Sequence, residues 1–261
     1  AYLWTMMERG AQRFTPMAGF FAFIWRMALT TGTGSIFGFL VARQAFDSAL
    51  LAPLFIALSL SYGLAVFLLV LMLAFQGSGR ALDTALLARF ARLQVIFVAA
   101  GLYFVLVYHL TNLYFTKHHD FERFILLEGG VHTALFWLGQ VLLGGIVPMA
   151  LLLHPRIGEL RGRITAATLL VVGGGFAQMW VTIVSGQAFP LVMFPGRQVS
   201  SSFHDGVVNA YTPTLPEWLL GFGGVAIAGL IVMLALKFLA FLPAHLDGAE
   251  TARGRPAAAA A

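Results

Sequence analysis

The chain has 261 residues, of which 59% are hydrophobic and only 10% charged, with a net charge of +5 at pH 7. A soluble domain carries roughly 25% charged residues, so this composition excludes one and makes hydrocarbon the natural solvent of the surface. The basic residues are dispersed between apolar blocks, which argues against a nucleic-acid partner. With no cysteine, the chain has no disulfide, thiolate-held cluster or thiol nucleophile.

The chain starts at Ala1 and reaches Glu8, Arg9 and Arg13 before any long apolar stretch. No signal peptide is visible, and the start reads as an N-terminal truncation. A membrane span needs about 20 mostly apolar residues to cross about 30 Å of hydrocarbon. Such blocks occupy 17–42, 49–75, 94–115, 127–153, 164–187 and 217–242. They predict an all-α, polytopic transmembrane helical bundle of about six spans. The first block holds Arg26 and the polar run TTGTGS; Arg26 is expected to snorkel to the cytoplasmic side or to neutralise a carboxylate in the bundle. QGSGRALD (76–83) and HPRIGELRGR (154–163) are read as loops, and the tail 246–261, ending GRPAAAAA, as disordered.

Orientation follows from lysine and arginine in the loops. The side holding the N-terminus, the 76–93 and 154–163 loops and the C-terminus carries eleven of the sixteen basic residues. Arg43, Lys117, Arg123 and Arg197 lie on the other side. Both termini are therefore predicted to be cytoplasmic, in a bacterial inner membrane.

Five of the seven histidines fall at the outer face. His109 and Asn112 end the third span, with Tyr108 beside them. Glu128 and His132 open the fourth. The spacings i,i+3 and i,i+4 place each pair on one helix face, and the short connection makes the two spans antiparallel neighbours. Ionisable residues in a span usually face a bundle interior or a cavity. Convergent imidazoles, a carboxylate and an amide on apolar walls suit a quinone, because histidine can take or give the accompanying proton and glutamate can relay it. The competing reading is hydration at the membrane interface, and it is preferred for His118, His119 and Asp120, which share the intervening loop with Glu122. Gln140 continues the Glu128–His132 face two turns deeper, as a step on a proton path or as an interhelical hydrogen bond. Gly144, Gly145, Gly173–Gly175, Gly221, Gly223 and Gly224 are expected at close helix contacts. A haem held by His109 and His132 is a poorer fit, because no second histidine pair exists deeper. No three-ligand metal spacing is present. A b-type cytochrome subunit and a transporter remain as alternatives.

The run QMWVTIVSGQAFPLVMFPG (178–196), with SSFHDG (201–206) and YTPTLPEWLLGFGG (211–224), resembles the NrfD/PsrC-like membrane subunits. Within them it is most similar to the DsrP branch that accompanies dissimilatory sulfite reductase. The resemblance extends over 17–245 and marks 1–245 as one NrfD-like transmembrane domain. It implies a subunit that interacts with quinone or quinol (menaquinone or ubiquinone) and carries no haem or iron–sulfur cluster of its own. The implied neighbour is a ferredoxin-like iron–sulfur protein at the outer, periplasmic face, in a complex of sulfur metabolism or anaerobic respiration. Glu128, Tyr211 and Glu217 match recurrent family positions, and Glu217 joins Gln140 and Arg26 as a candidate on the proton path. Relatives have two four-helix bundles, so the first is expected to be largely missing here. The proline-containing 188–216 loop is expected to pack across the outer face and help dock the iron–sulfur partner, or to cap its own bundle.

Overall fold

In the computed structural model the described residues are 8–79, 82–154, 160–191 and 206–238, and among them the regular structure is helical. His204, Asp205, His245, residues 192–205 of the 188–216 loop and the tail 246–261 lie outside the described residues. The long helices are α1 (Thr15–Gly38), α2 (Leu51–Gly77) and α3 (Thr84–Tyr114). A short helix, α4 (His119–Arg123), is followed by α5 (Val131–Leu153), α6 (Arg161–Ala188) and α7 (Leu215–Phe238).

Five of these, α2, α3, α5, α6 and α7, are long and apolar enough to cross a membrane. Helix α1 forms where the first block was expected and has 24 residues, but it does not reach that apolarity. Arg26 and the Thr–Gly–Ser run are the physical reason, since each replaces a hydrocarbon contact with a polar group. Its threonines turn inward on their own backbone: Thr30, Thr31 and Thr33 donate to the carbonyls four residues earlier.

Helix α3 corrects a boundary. Residues 84–93, read as loop, are its first turns, begun by Asp83, whose side chain accepts from the Ala85 N–H at 2.9 Å. Thirty-one residues span about 46 Å, more than the hydrocarbon thickness, so Arg89 and Arg92 stay exposed at its start.

Helices α2, α3, α5 and α6 form the packed core, with α1 laid against α2. The α5–α6 crossing is the tightest point. A Cβ on Gly174 would collide with the Gly144 Cα, so only glycine at both positions lets these backbones meet. Gly173, Gly221, Gly223 and Gly224 have nothing within contact distance, contrary to expectation: Gly173 does not share the close approach of Gly174, and no residue of α7 is buried. Its surface of Leu219, Leu220, Phe222, Val225 and Ile227 is apolar on all sides, as a helix facing lipid or another subunit requires.

Three stretches are wound as π-helix: Phe124–Glu128 directly after α4, Leu135–Ile146 within α5 and Trp180–Ser185 within α6. The i→i+5 bonding widens the turn and redirects the side chains, and such windings recur at functional sites. Here they flank the polar interior described next.

Candidate functional site

The polar side chains converge at the end of the bundle where α3 and α6 finish and α5 begins. Residues 39–50 cap this end. Tyr108 donates its hydroxyl to the Ala45 carbonyl, and His118 Nδ1 lies 2.6 Å from the Gln44 carbonyl. Lys117 meets Asp47 at 2.9 Å, and Arg43 donates to the Gln187 and Phe189 carbonyls at the end of α6. That last contact satisfies carbonyls that a helix C-terminus leaves without partners.

Beneath this cap sits a buried acid. Glu122, on α4, is inaccessible to solvent. Its Oε2 lies 2.7 Å from His109 Nδ1, and its Oε1 accepts from Asn112 Nδ2 at 2.8 Å. An isolated buried carboxylate would cost several kcal/mol. An imidazole able to share its proton and an amide donor offset that cost together. The His109 ring is held edge-on between Tyr108, at 5.0 Å, and Phe136, at 4.7 Å. Asn112 is 1% exposed and His109 9%, so water from the membrane surface does not reach the pair directly.

By sequence alone Glu122 falls in the loop between the third and fourth spans. The signal was present: His118, Phe121, Glu122 and Ile125 are spaced as one helical face, and all four are buried. By contrast, Glu128 and His132 do not share a face. Gly129 and Gly130, the latter with φ of +57°, interrupt the helix between them. Glu128 turns to the surface and pairs with Arg123 at 2.7 Å, both being more than half exposed. His132 stays half-buried, with Nδ1 2.7 Å from Ser185 Oγ and its ring on Phe124. Gln140 is buried where the face was expected to continue, two turns below His132.

Arg26 is exposed on α1, and it lines none of the described cavities. Glu217 is placed at the start of α7, where its carboxylate accepts from the Thr214 N–H and hydroxyl at 2.6 and 2.8 Å. Thr214 and Glu217 thus have the spacing and the bonds of a helix cap. Tyr211 lies 5.8 Å from the Trp180 ring; desolvation and the Glu217 charge push its phenol above the ordinary tyrosine value.

A quinone ring needs room. The cavity beside Tyr108 and His109 leaves about 20 Å³ for the centre of a water molecule, which suits one water and no ring. A larger space lies between α5 and α6, a groove of about 530 Å³ lined by Leu135, Gly139, Leu143, Phe176 and Trp180 among others. Its walls are apolar, and the Trp180 indole N–H is buried without a hydrogen-bond partner. Size, apolar walls and an unpaired donor are what an isoprenoid quinone asks of a site. Among the described residues no three histidine or acidic side chains converge as metal ligands do.

Comparison with known proteins places the chain. The family model described as polysulphide reductase, NrfD, matches residues 1–191. The Hdr-like menaquinol oxidoreductase integral membrane subunit of Archaeoglobus fulgidus is 31% identical over 245 residues, covering 93% of this chain and 61% of that protein. A Halobacterium salinarum chain provisionally assigned as a dimethyl sulfoxide reductase membrane subunit is 30% identical, over 87% of this chain and 54% of its own length. A selenate reductase subunit of Mesobacillus selenatarsenatis is 26% identical, over 78% and 45%. The chain therefore spans about half to three-fifths of the relatives it matches. No solved structure matches significantly.

Proposed function

Because the chain belongs to the polysulphide reductase NrfD family, we propose that it is a quinone- or quinol-interacting membrane subunit of a multi-subunit redox complex. In this reading it exchanges electrons with an iron–sulfur subunit at the periplasmic face of a bacterial inner membrane, and α1 serves as a sixth span beside the five more apolar ones, which puts both termini on the cytoplasmic side. Residues 1–245 act as one membrane domain. The finer assignment is to the DsrP branch and to sulfur metabolism, with menaquinone or ubiquinone as the carrier.

The observation that carries the reading is the buried His109–Glu122 pair. A quinol that is oxidised gives up two electrons and two protons, and the protein must take the protons where bulk water is absent. An imidazole and a carboxylic acid 2.7 Å apart in a dry interior can accept, hold and release one proton between them. Asn112 keeps the Glu122 carboxylate oriented, and Tyr108 and Phe136 keep the His109 ring in place. His132, half-buried, is steadied through Nδ1 by Ser185, and Glu128 stands at the surface beside Arg123. The groove at Trp180 supports a seat for the quinone that the cavity at His109 does not offer.

Glu122→Gln tests the reading in the purified complex. The amide retains the shape and both hydrogen bonds but cannot carry the proton. Turnover with a quinol should fall by about 10²- to 10⁴-fold, as for loss of a positioned proton-transfer group, while the complex stays assembled. Wild-type turnover in this variant refutes the assignment.

A further inference from the structure

At the end of the bundle opposite Glu122, the last turns of α2, the turn before α3 and the first turns of α6 border a cavity of about 250 Å³. One water requires roughly 10–15 Å³, so this space has the size of a molecular group. Met72, Phe75 and Leu82 supply its apolar wall, and Gln76, Arg161 and Thr165 its polar one.

Arg161 brings the charge. Its Nη2 donates to the Leu82 carbonyl at 2.9 Å, which fixes the guanidinium at the cavity wall and leaves its other N–H donors to a ligand. Among the described residues no carboxylate forms an ion pair with Arg161. Asp83, beside Leu82, is engaged as the cap of α3. The first turn of α6 holds no acidic residue, although the positive end of a helix dipole favours an anion. The Thr165 hydroxyl bonds to the Arg161 carbonyl at 2.9 Å, so Gln76, exposed at the end of α2, supplies the other side-chain N–H donors.

The level of this cavity in the membrane points to its occupant. Helix α2 has 27 residues and is about 40 Å long, the thickness of a bilayer with its headgroups rather than of the hydrocarbon alone. Its last turns therefore stand in the headgroup zone, which is about 5–8 Å deep on each side. Met72 lies about 8 Å from the end of α2, and Thr165 about 6 Å from the start of α6. The same end carries exposed Arg89 and Arg92 and the basic loops expected on the cytoplasmic side, where anionic lipids attract arginine.

We propose that this cavity binds the headgroup of an anionic phospholipid, with the phosphodiester on the Arg161 guanidinium and the Gln76 amide and the glycerol backbone against Met72 and Leu82. Arginine suits the role because two parallel N–H donors meet two phosphate oxygens, which an ammonium cannot do. A soluble anion would gain nothing from the apolar wall, whereas a lipid covers it. The bound lipid bridges the end of α2 and the start of α6. None of this rests on the quinol reading.

Native mass spectrometry of the purified complex, stripped of lipid in detergent, tests the site by counting bound phosphatidylglycerol or phosphatidylcholine as either is added. The anionic lipid should fill one site roughly tenfold more tightly than the zwitterionic one. Arg161→Gln should weaken that site roughly tenfold and Gln76→Leu roughly threefold. Arg92→Gln, which removes an exposed charge at the same end but outside the cavity, should leave it unchanged. Because Gln76 is exposed, its variant carries the test even if Arg161→Gln fails to assemble. Equal affinity for the two lipids, equal loss in Arg161→Gln and Arg92→Gln, or an unchanged affinity in Gln76→Leu overturns the proposal. So does inorganic phosphate that displaces phosphatidylglycerol at equal concentration, since the occupant would then be a soluble anion.

Discussion

Glu122 reaches from a five-residue helix to His109 on the last turns of α3, and the 2.7 Å contact between them is buried. Thirteen residues separate the two in sequence, with a turn and two short helices between them. Nothing about this pair serves the surface. Its position makes it the centre of the chemistry proposed for this chain, and its surroundings set what each substitution should do.

Asn112 donates the second hydrogen bond to Glu122. Asn112→Leu keeps the branched shape but leaves one oxygen of a buried carboxylate unpaired, at a cost of about 1–3 kcal/mol or more. Thermal unfolding in detergent should show a lower midpoint for Asn112→Leu alone, and little further loss when Glu122→Leu removes the carboxylate as well. A larger loss in the double variant would contradict the pairing.

Glu128 and Arg123 form an exposed ion pair. Such pairs contribute about 0–1 kcal/mol. Glu128→Gln should therefore unfold near the wild-type midpoint and retain most quinol turnover, in contrast to Glu122→Gln. Equal loss of turnover in the two variants would return the acidic role to the rim.

Gly144 and Gly174 set the α5–α6 crossing. Gly174→Ala places a methyl group inside the space held by the Gly144 Cα, and overpacking of this kind costs about 1–3 kcal/mol. Gly223→Ala, with open space around it, should leave the midpoint unchanged. Similar midpoints for the two variants would contradict the crossing.

Trp180 lines the groove, and its buried indole N–H has no protein partner. Trp180→Phe keeps the apolar wall and removes the donor. A lost hydrogen bond of about 0.5–1.5 kcal/mol should raise the KM for quinol by up to roughly tenfold, with kcat and stability little changed. An unchanged KM would place the quinone elsewhere.

Much of the fold was legible because long apolar blocks in a chain this poor in charge leave few alternatives to spanning helices. Boundaries were less legible where a helix runs past the hydrocarbon, as at Thr84–Leu93, since wet helical turns look like loop in a hydropathy profile. The site was half legible. His109, Asn112 and Gln140 were found because each sits on a regular helix face, and the structure buries all three. Glu122 was missed because its own helix is only five residues long, so a charged residue there resembles a loop residue unless Phe121 and Ile125 are read together with it. Glu128 was misplaced for the opposite reason: i,i+4 spacing implies a shared face only while the helix continues, and Gly129–Gly130 ends it. The cavities depend on how the helices and π-windings meet, and no local pattern encodes that.

Infrared difference spectroscopy of the assembled complex, recorded as quinol reduces it, tests the proton-carrying role of Glu122 most directly. A carboxylic C=O band that shifts in deuterium oxide should appear in the wild type and in Glu128→Gln and be missing from Glu122→Gln. The same band at full strength in Glu122→Gln would contradict the account, because the proton would then travel by another group.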